Sequence, residues 1–321
     1  MISRRVAERL RRPFADFQAG VRKQATLPQG ALSLGLAGTA PGVVLQTDAA
    51  VAVALPGPPR ELQRLWPAAV RTAEVQRLLA HTTPPYRRVL RFYGVSESQV
   101  ARVLAEAGGD GAGVEATVCA RDFEIHVDLV ADGADRALLD ELERRLAGPL
   151  GGFLFSTDER PIEELVLSLC REQGLTLATA ESCTGGLVAA RLTGVPGSSD
   201  VFRGGFVAYA NELKARELGV SPELLARHGA VSAETAAAMA RGARERLGVE
   251  VALAVTGVAG PGGGTREKPV GLVHLHAEGP AGASSAEFSL PGDRETVRRR
   301  AAVGALHLAT QLLRTDGGSA M

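Results

Sequence analysis

Lysine and asparagine are nearly absent from these 321 residues. Lys23, Lys214 and Lys268 are the only lysines among 36 basic residues, and Asn211 is the sole asparagine. Aromatics make up 4% of the chain, which leaves little from which to build stacking platforms for nucleic-acid bases. Excess charge of one sign is also missing. The 36 basic residues balance 36 acidic ones and no basic tail stands out, so electrostatics give no case for a nucleic-acid or membrane partner. Apolar runs are only strand-sized, so no membrane span is expected, and residues 1–9 form a charged helical pattern without a secretory apolar stretch. Cysteine is scarce and odd in number. Cys119, Cys170 and Cys183 lack zinc-ligand spacing and read as reduced thiols of a cytoplasmic protein.

What remains is an ordinary globular composition, 45% hydrophobic and 22% charged, long enough for two or three domains. Residues 1–87 give a helix-like opening, one convincing strand over 50–55, a Pro56-Gly-Pro-Pro59 turn and a helix from Arg60. One strand with two or three helices cannot make a parallel sheet covered on both faces, so this first domain is expected to be a partial α/β unit. Residues 88–150 read as a small α+β domain. It has a strand over 89–94, a helix capped by Ser96, paired strands over 114–119 and 123–129, and a closing helix over 135–146. Its Gly108-Gly-Asp110-Gly111 fits the Gly-x-x-Gly pattern of KH loops, but it carries an acid and no base, so clamping of a nucleic-acid backbone is not expected. After Gly151-Gly152, residues 156–314 alternate strand and helix, the pattern of a three-layer α/β domain.

Two segments of this last domain carry chemistry. A strand over 175–180 runs into Ala180-Glu-Ser182-Cys-Thr184-Gly185-Gly186 and then a helix. Loops at the carboxyl edge of open α/β sheets bind ligands, and the first N–H groups of the helix are expected to point outward, suited to a phosphate or an oxyanion. A serine or threonine there is equally a routine N-cap. The second segment, Tyr209-Ala-Asn211-Glu-Leu-Lys214, gathers three scarce side chains. Where arginine serves as the ordinary cation, a retained lysine suits a role that requires losing a proton. No histidine is placed for a Ser–His–Asp triad. His228, His274 and His276 read as structural, and no carboxylate cluster suggests a metal. Lys214 is therefore the candidate base for Ser182, its pKa lowered by burial or by Arg203, with Tyr209 orienting the proton. Cys183 is the rival nucleophile. Two further loops, Gly197-Ser198-Ser199 and Thr256-Gly257-Val-Ala-Gly260-Pro-Gly-Gly-Gly264, are candidates to cradle a ligand. Arg294 and Arg298 share a face of the last helix, and Arg298 is placed to reach a phosphate or carboxylate.

These motifs, with Gly204-Gly-Phe-Val-Ala-Tyr209, His228-Gly-Ala-Val-Ser232, Glu267-Lys-Pro-Val-Gly271 and Gly292-Asp-Arg294, resemble in order the C-terminal domain of the CinA competence/damage-inducible family. That domain is a nicotinamide-nucleotide amidohydrolase also found alone as PncC. The resemblance implies hydrolysis of nicotinamide mononucleotide to nicotinate mononucleotide and ammonia in pyridine-nucleotide salvage, without a cofactor or metal. Catalysis is expected from Ser182, Lys214 and Tyr209. Substrate binding is expected from Thr184, Gly185, Gly186, Ser198, Ser199, Asn211, Thr256, Gly257, Gly260 and Arg298. Residues 88–150 resemble the family's KH-like middle domain. Ala37-Gly-Thr-Ala-Pro-Gly42 and Leu55-Pro-Gly-Pro-Pro59-Arg-Glu61 resemble the end of its MoaB/MogA-like N-terminal domain. The family's Gly-Gly-Leu-Gly-Pro-Thr-x-Asp-Asp loop is not in this sequence. The divalent-metal ADP-ribose pyrophosphatase activity of some members is therefore the alternative, tied to that loop, and a role in DNA uptake or repair is another. A partial first domain with open sheet edges favours a homo-oligomer, a dimer.

Overall fold

The structure is a computed structural model and describes residues 13, 15, 18–38, 40–109, 111, 113–131, 136–280 and 282–315. The helical pattern over 1–9 and the loop residue Asp110 lie outside them. The chain divides into two compact units, residues 1–86 with 132–134, and residues 87–131 with 135–321.

In the first unit, α1 (Gln18–Ala25) precedes a three-stranded antiparallel meander of β1 (Leu32–Leu36), β2 (Pro41–Gln46) and β3 (Val51–Ala54). Helices α2 (Pro59–Val70) and α3 (Ala73–Leu79) follow. The expected strand over 50–55 is β3, which pairs with β2, and β2 in turn with β1, two strands that the flanking sequence does not announce. Leu32-Ser-Leu-Gly-Leu36 is mostly exposed, so it lacks the alternation of a half-buried strand. Pro59 occupies the first turn of α2, where a missing N–H leaves no intrahelical bond unmade. Leu65 and Ala69 of that helix, Val44 of β2 and Pro56 are the buried apolar side chains among this unit's described residues.

The second unit contains two sheets with separate cores. The smaller has strand order β5-β6-β4-β7, made by β4 (Tyr86–Phe92), β5 (Val114–Arg121), β6 (Glu124–Ala131) and β7 (Leu154–Ser156). Helices α4 (Glu97–Glu106) and α5 (Arg136–Leu150) cover one face with Val100, Leu104, Leu139 and Leu146. The Ser96 hydroxyl accepts from Gln99 N–H at 3.2 Å and caps α4 as expected.

The larger sheet has order β12-β11-β10-β8-β9. Its strands are β8 (Leu177–Glu181), β9 (Phe202–Val207), β10 (Val251–Gly257), β11 (Leu272–Gly279) and β12 (Gly282–Ser289). β8 runs parallel to β9 and β10, while β11 and β12 form an antiparallel hairpin at one side. Alternation along β10 divides the layers. Val251, Leu253 and Val255 face α6 (Ile162–Gln173), α7 (Leu187–Thr193) and α11 (Arg294–Thr315). Ala252 and Ala254 face the other layer, with Met239, Ala240 and Ala243 of α10 (Ala233–Leu247) and Leu218 of α8 (Asn211–Leu218). Between them lies α9 (Pro222–His228). Within this second layer α10 and α8 approach closely: a Cβ at Gly242 would meet the Leu218 carbonyl oxygen at 1.9 Å. The three-layer α/β reading of this region therefore holds.

β9 begins and ends three residues earlier than the expected strand over 205–210. Ala208 N–H closes the ladder on the Glu181 carbonyl at 2.9 Å, and the chain then turns into α8, which delivers Lys214 to the sheet edge.

Candidate active site

The carboxyl ends of β8, β9 and β10 meet at one edge of the sheet. Val255 pairs with Glu181, and Ser182 N–H donates to the Val255 carbonyl at 2.9 Å, fixing the residue after β8 beside the end of β10. Lys214 reaches the same place from the first turn of α8. It is 1% exposed, one of the largest fully buried side chains in the molecule. Its Nζ lies 3.1 Å from Ser182 Oγ, 2.8 Å from the Ala208 carbonyl oxygen and 3.2 Å from the Tyr209 carbonyl oxygen. No carboxylate pairs with it among the described residues. Burial pushes its pKa down, with Cys183 a minor opposing influence. Arg203 is exposed and plays no part in this, acting instead on Glu250, so burial is the cause that holds.

A neutral amine has two N–H bonds and one lone pair. The two carbonyls take the N–H bonds, which leaves the lone pair for the Ser182 hydroxyl. Cys183, although adjacent, is 4% exposed, and burial raises its thiol to about 11, a poor setting for a thiolate.

The start of α7 differs from the expected open anion cradle. The Glu181 carboxylate, 1% exposed, folds back over it. Oε2 accepts from Gly186 N–H and Val188 N–H, both at 3.0 Å, and Oε1 from Ala189 N–H at 2.8 Å. A built-in anion thus occupies the positive end of the helix. Gly185 N–H is also committed, to the Ser182 carbonyl at 3.1 Å. The N–H groups of Cys183 and Thr184 bond no main-chain carbonyl and lie against the Cys183 sulfur, and the buried Thr184 hydroxyl has no partner among the described residues. Gly185 and Gly186 sit at φ +61° and +94°, which is why this turn demands glycine.

Two arginines of α11 hold the site's loops. Arg298 donates from Nε to the Cys183 carbonyl at 3.1 Å and from Nη2 to the Thr184 carbonyl at 2.8 Å. Arg294 donates from Nη1 to the Gly260 carbonyl at 2.7 Å and from Nη2 to the Tyr209 hydroxyl at 2.8 Å. The Tyr209 side chain is thus bound to Arg294 and 57% exposed, and it is the residue's main-chain carbonyl that touches Lys214. Asn211 lies exposed at the first position of α8, on the same sheet edge. A cavity of about 440 Å³ opens beside the loop, lined by Leu187, Arg191, Arg294, Glu295, Arg298 and Arg299 together with Ala302.

Several expected ligand contacts are already spent. Thr256 Oγ1 donates to the Ala230 carbonyl at 2.6 Å. Gly257 is required by close packing, since a Cβ there would meet the Leu272 carbonyl oxygen at 2.7 Å. Gly260, at φ +79°, leaves no room for a Cβ against Val270. Ser198 and Ser199 are in the wrong place. They form a 3₁₀ turn before β9, and Leu177 N–H at the start of β8 bonds Val201 at its end. In a parallel pair, the residues before one strand lie at the amino edge, so these serines flank the edge opposite Ser182. Glu181 carried no assigned role in the sequence. Its only signal was a carboxylate one residue before the loop that opens a helix. The histidines read as structural keep local partners: His276 Nδ1 lies 2.7 Å from Ser285 Oγ, and His228 Nδ1 lies 3.2 Å from Glu234.

A buried serine–lysine pair at the carboxyl edge of a three-layer α/β sheet defines the class. Residues 159–313 match the CinA C-terminal domain model. A CinA-like protein of Mycolicibacterium paratuberculosis is 46% identical over 308 residues, which span 94% of this chain and 70% of the relative. A CinA-like protein of Mycobacterium tuberculosis is 43% identical over 310 residues, spanning 95% and 71%. The crystal structure of a competence/damage inducible protein from Agrobacterium tumefaciens, 44% identical, overlays with a TM-score of 0.46 over 50% of this chain and 99% of that one. The chain belongs to the CinA family.

Proposed function

We propose that this protein is a nicotinamide-nucleotide amidohydrolase that converts nicotinamide mononucleotide and water to nicotinate mononucleotide and ammonia. The observation that carries this reading is the 3.1 Å approach of Lys214 Nζ to Ser182 Oγ in a buried setting, with no carboxylate paired to the amine among the described residues. Serine attacks an amide only if a base takes its proton, and a desolvated lysine is such a base near neutral pH.

In the first step Lys214 accepts the Ser182 proton as Oγ bonds to the carboxamide carbon. The resulting oxyanion would draw on the main-chain N–H groups of Cys183 and Thr184, which bond no main-chain carbonyl. A well-placed donor of this kind contributes about 10²–10³ in rate. Gly185, whose N–H is committed, is not one of them. The Lys214 ammonium returns its proton to the departing nitrogen and ammonia leaves an ester on Ser182. Water then attacks the ester, again giving its proton to Lys214, and the carboxylate departs as Oγ is reprotonated. The arginine-lined cavity of about 440 Å³ suits the substrate phosphate, because Arg191, Arg294, Arg298 and Arg299 line it and outnumber the acid there, Glu295. Phosphate binding there would hold the amide at Ser182.

Ammonia release from nicotinamide mononucleotide, compared with nicotinamide riboside, tests the reading. Wild-type protein should prefer the phosphorylated substrate and Ser182→Ala should lack activity. Equal release by Ser182→Ala would remove the nucleophile.

A further inference from the structure

A second cavity, of about 640 Å³, lies where the smaller sheet of the second unit meets β12 and α11. Tyr93, Val95, Phe123, Phe288 and Leu290 give it an apolar wall, and Arg300 is one of the two arginines that line it. This volume is typical of a site for a small organic ligand, and apolar walls with few polar groups are its usual lining.

Three features set it apart from a gap between sheets. Arg300 makes no ion pair and no hydrogen bond with the described residues, and its buried Nε is without a partner. Its guanidinium rests only on the Phe123 ring, 5.0 Å from the centroid. Such a cation retains its full capacity for an anion. Next, the Tyr93 hydroxyl has no hydrogen-bond partner among the described residues, while its ring stacks on His307 at 3.7 Å. Burial pushes that hydroxyl to about 12, so it stays a donor. Lastly, the turn that delivers Phe123 is left-handed at two consecutive non-glycine residues, Asp122 at φ 49° and Phe123 at φ 68°. A two-residue hairpin turn between β5 and β6 calls for positive φ at both positions, and it sets the Phe123 ring against the Arg300 guanidinium.

The charges around the cavity leave it positive. Asp122 is taken by Arg299 at 3.0 Å. Glu124 is taken by Arg91 at 2.5 Å and His307 at 3.0 Å. Against Glu97 at the rim stand Arg121 and Arg300.

We propose that this cavity binds an organic anion with a flat apolar body. Arg300 and the Tyr93 hydroxyl hold the charged group, and Val95, Phe288 and Leu290 hold the body. Nothing in the amidohydrolase reading assigns it a ligand, and the site stands or falls independently of that reading.

The full chain is titrated with 1-anilinonaphthalene-8-sulfonate and with the uncharged N-phenyl-1-naphthylamine, following fluorescence. For the sulfonate the expected result is one saturable site, tighter than for the neutral probe and weakened by added salt, which leaves the neutral probe unaffected. Arg300→Leu should weaken the sulfonate by about tenfold, the loss of a charge-assisted contact, and change the neutral probe less than about twofold. Val95→Trp should abolish both by filling the space. Thermal unfolding confirms that each variant is folded, and the salt dependence of wild type decides the matter if one is not. Equal affinity for the two probes, salt-independent binding, or unchanged sulfonate binding in folded Arg300→Leu overturns the proposal. So does loss of binding on Arg191→Leu alone, which would place the probe in the arginine cavity beside Ser182.

Discussion

Replacing Lys214 by methionine separates the proposed base from the structural role of the same side chain. Methionine keeps most of the buried volume and removes the nitrogen. The Ala208 and Tyr209 carbonyls then lose donors, at about 1–3 kcal/mol for a buried acceptor left unsatisfied. Opposing this, the variant no longer desolvates an amine, so the net destabilisation should be on the order of 1–2 kcal/mol. The protein should fold, with a midpoint lowered by a few degrees, about 2–4 °C per kcal/mol for a unit this large. Ammonia release should fall by about 10²–10⁴, the usual contribution of general base catalysis. Lys214→Arg should be equally inactive, because a guanidinium does not give up its proton. The pH profile provides the sharper test. Burial lowers the Lys214 pKa from 10.5, so the active neutral amine accumulates as pH rises through the lowered value, and activity should rise with it to a plateau. The unfolded chain holds that proton up to the ordinary lysine range, so stability should also rise with pH between the two values. A Lys214→Met variant that keeps a third of wild-type turnover, or retains the same rising limb, refutes the assignment.

Other positions give independent outcomes. Cys183→Ala should keep most activity, and iodoacetamide should label the native thiol slowly, because burial raises it to about 11; rapid labelling with loss of activity would make it the nucleophile. Glu181→Gln places an amide N–H₂ against N–H donors of α7 and should destabilise by about 2–4 kcal/mol, since charge-assisted bonds are worth roughly 1.5–3 kcal/mol each; an unchanged calorimetric midpoint contradicts this. Glu124 links β6 to His307 of α11. Burial alone would raise its pKa, but hydrogen bonds from His126 and His307 and the charge of Arg91 bring it down to about 2. A lowered carboxyl pKa stabilises above its unfolded value near 4.5 and loses that contribution as pH falls towards 2, here about 3 kcal/mol. Denaturant midpoints of Glu124→Gln and wild type should therefore converge towards pH 2; parallel curves would contradict the linkage.

Local signals made much of this fold legible. Ser232 before an alanine-rich helical period marks α10, and its hydroxyl accepts from Thr235 N–H at 3.1 Å. Asp293 caps α11 in the same way, accepting from Thr296 N–H at 2.8 Å. The pairing of Ser182 with Lys214 was legible for a different reason. They are 32 residues apart, but a lysine kept amid arginines signals chemistry that does not depend on distance along the chain. The meander of the first unit was not legible as a whole, because β1 and β3 are short and largely exposed, without the alternation that burial leaves on β2.

What the sequence could not convey is which edge of the sheet a loop occupies. Ser198 and Ser199 follow Ser182 by fewer than twenty residues, and their motif looks as suited to a ligand. Yet a parallel crossover must carry the chain from the carboxyl end of one strand to the amino end of the next, so α7 takes them to the far edge. Lys214 comes after β9 is complete, and the same topology returns it to Ser182. The reversal also explains Glu181. As the last residue of β8 it pairs with Val255 and Val207, and the turn of Gly185 and Gly186 brings α7 back above it, so that its carboxylate meets the helix N–H groups. The anion at the helix start is therefore part of the protein. Of the N–H groups in this loop, those of Ser182 and Gly185 are taken by main-chain carbonyls, so those of Cys183 and Thr184 are the donors proposed for an oxyanion at Ser182.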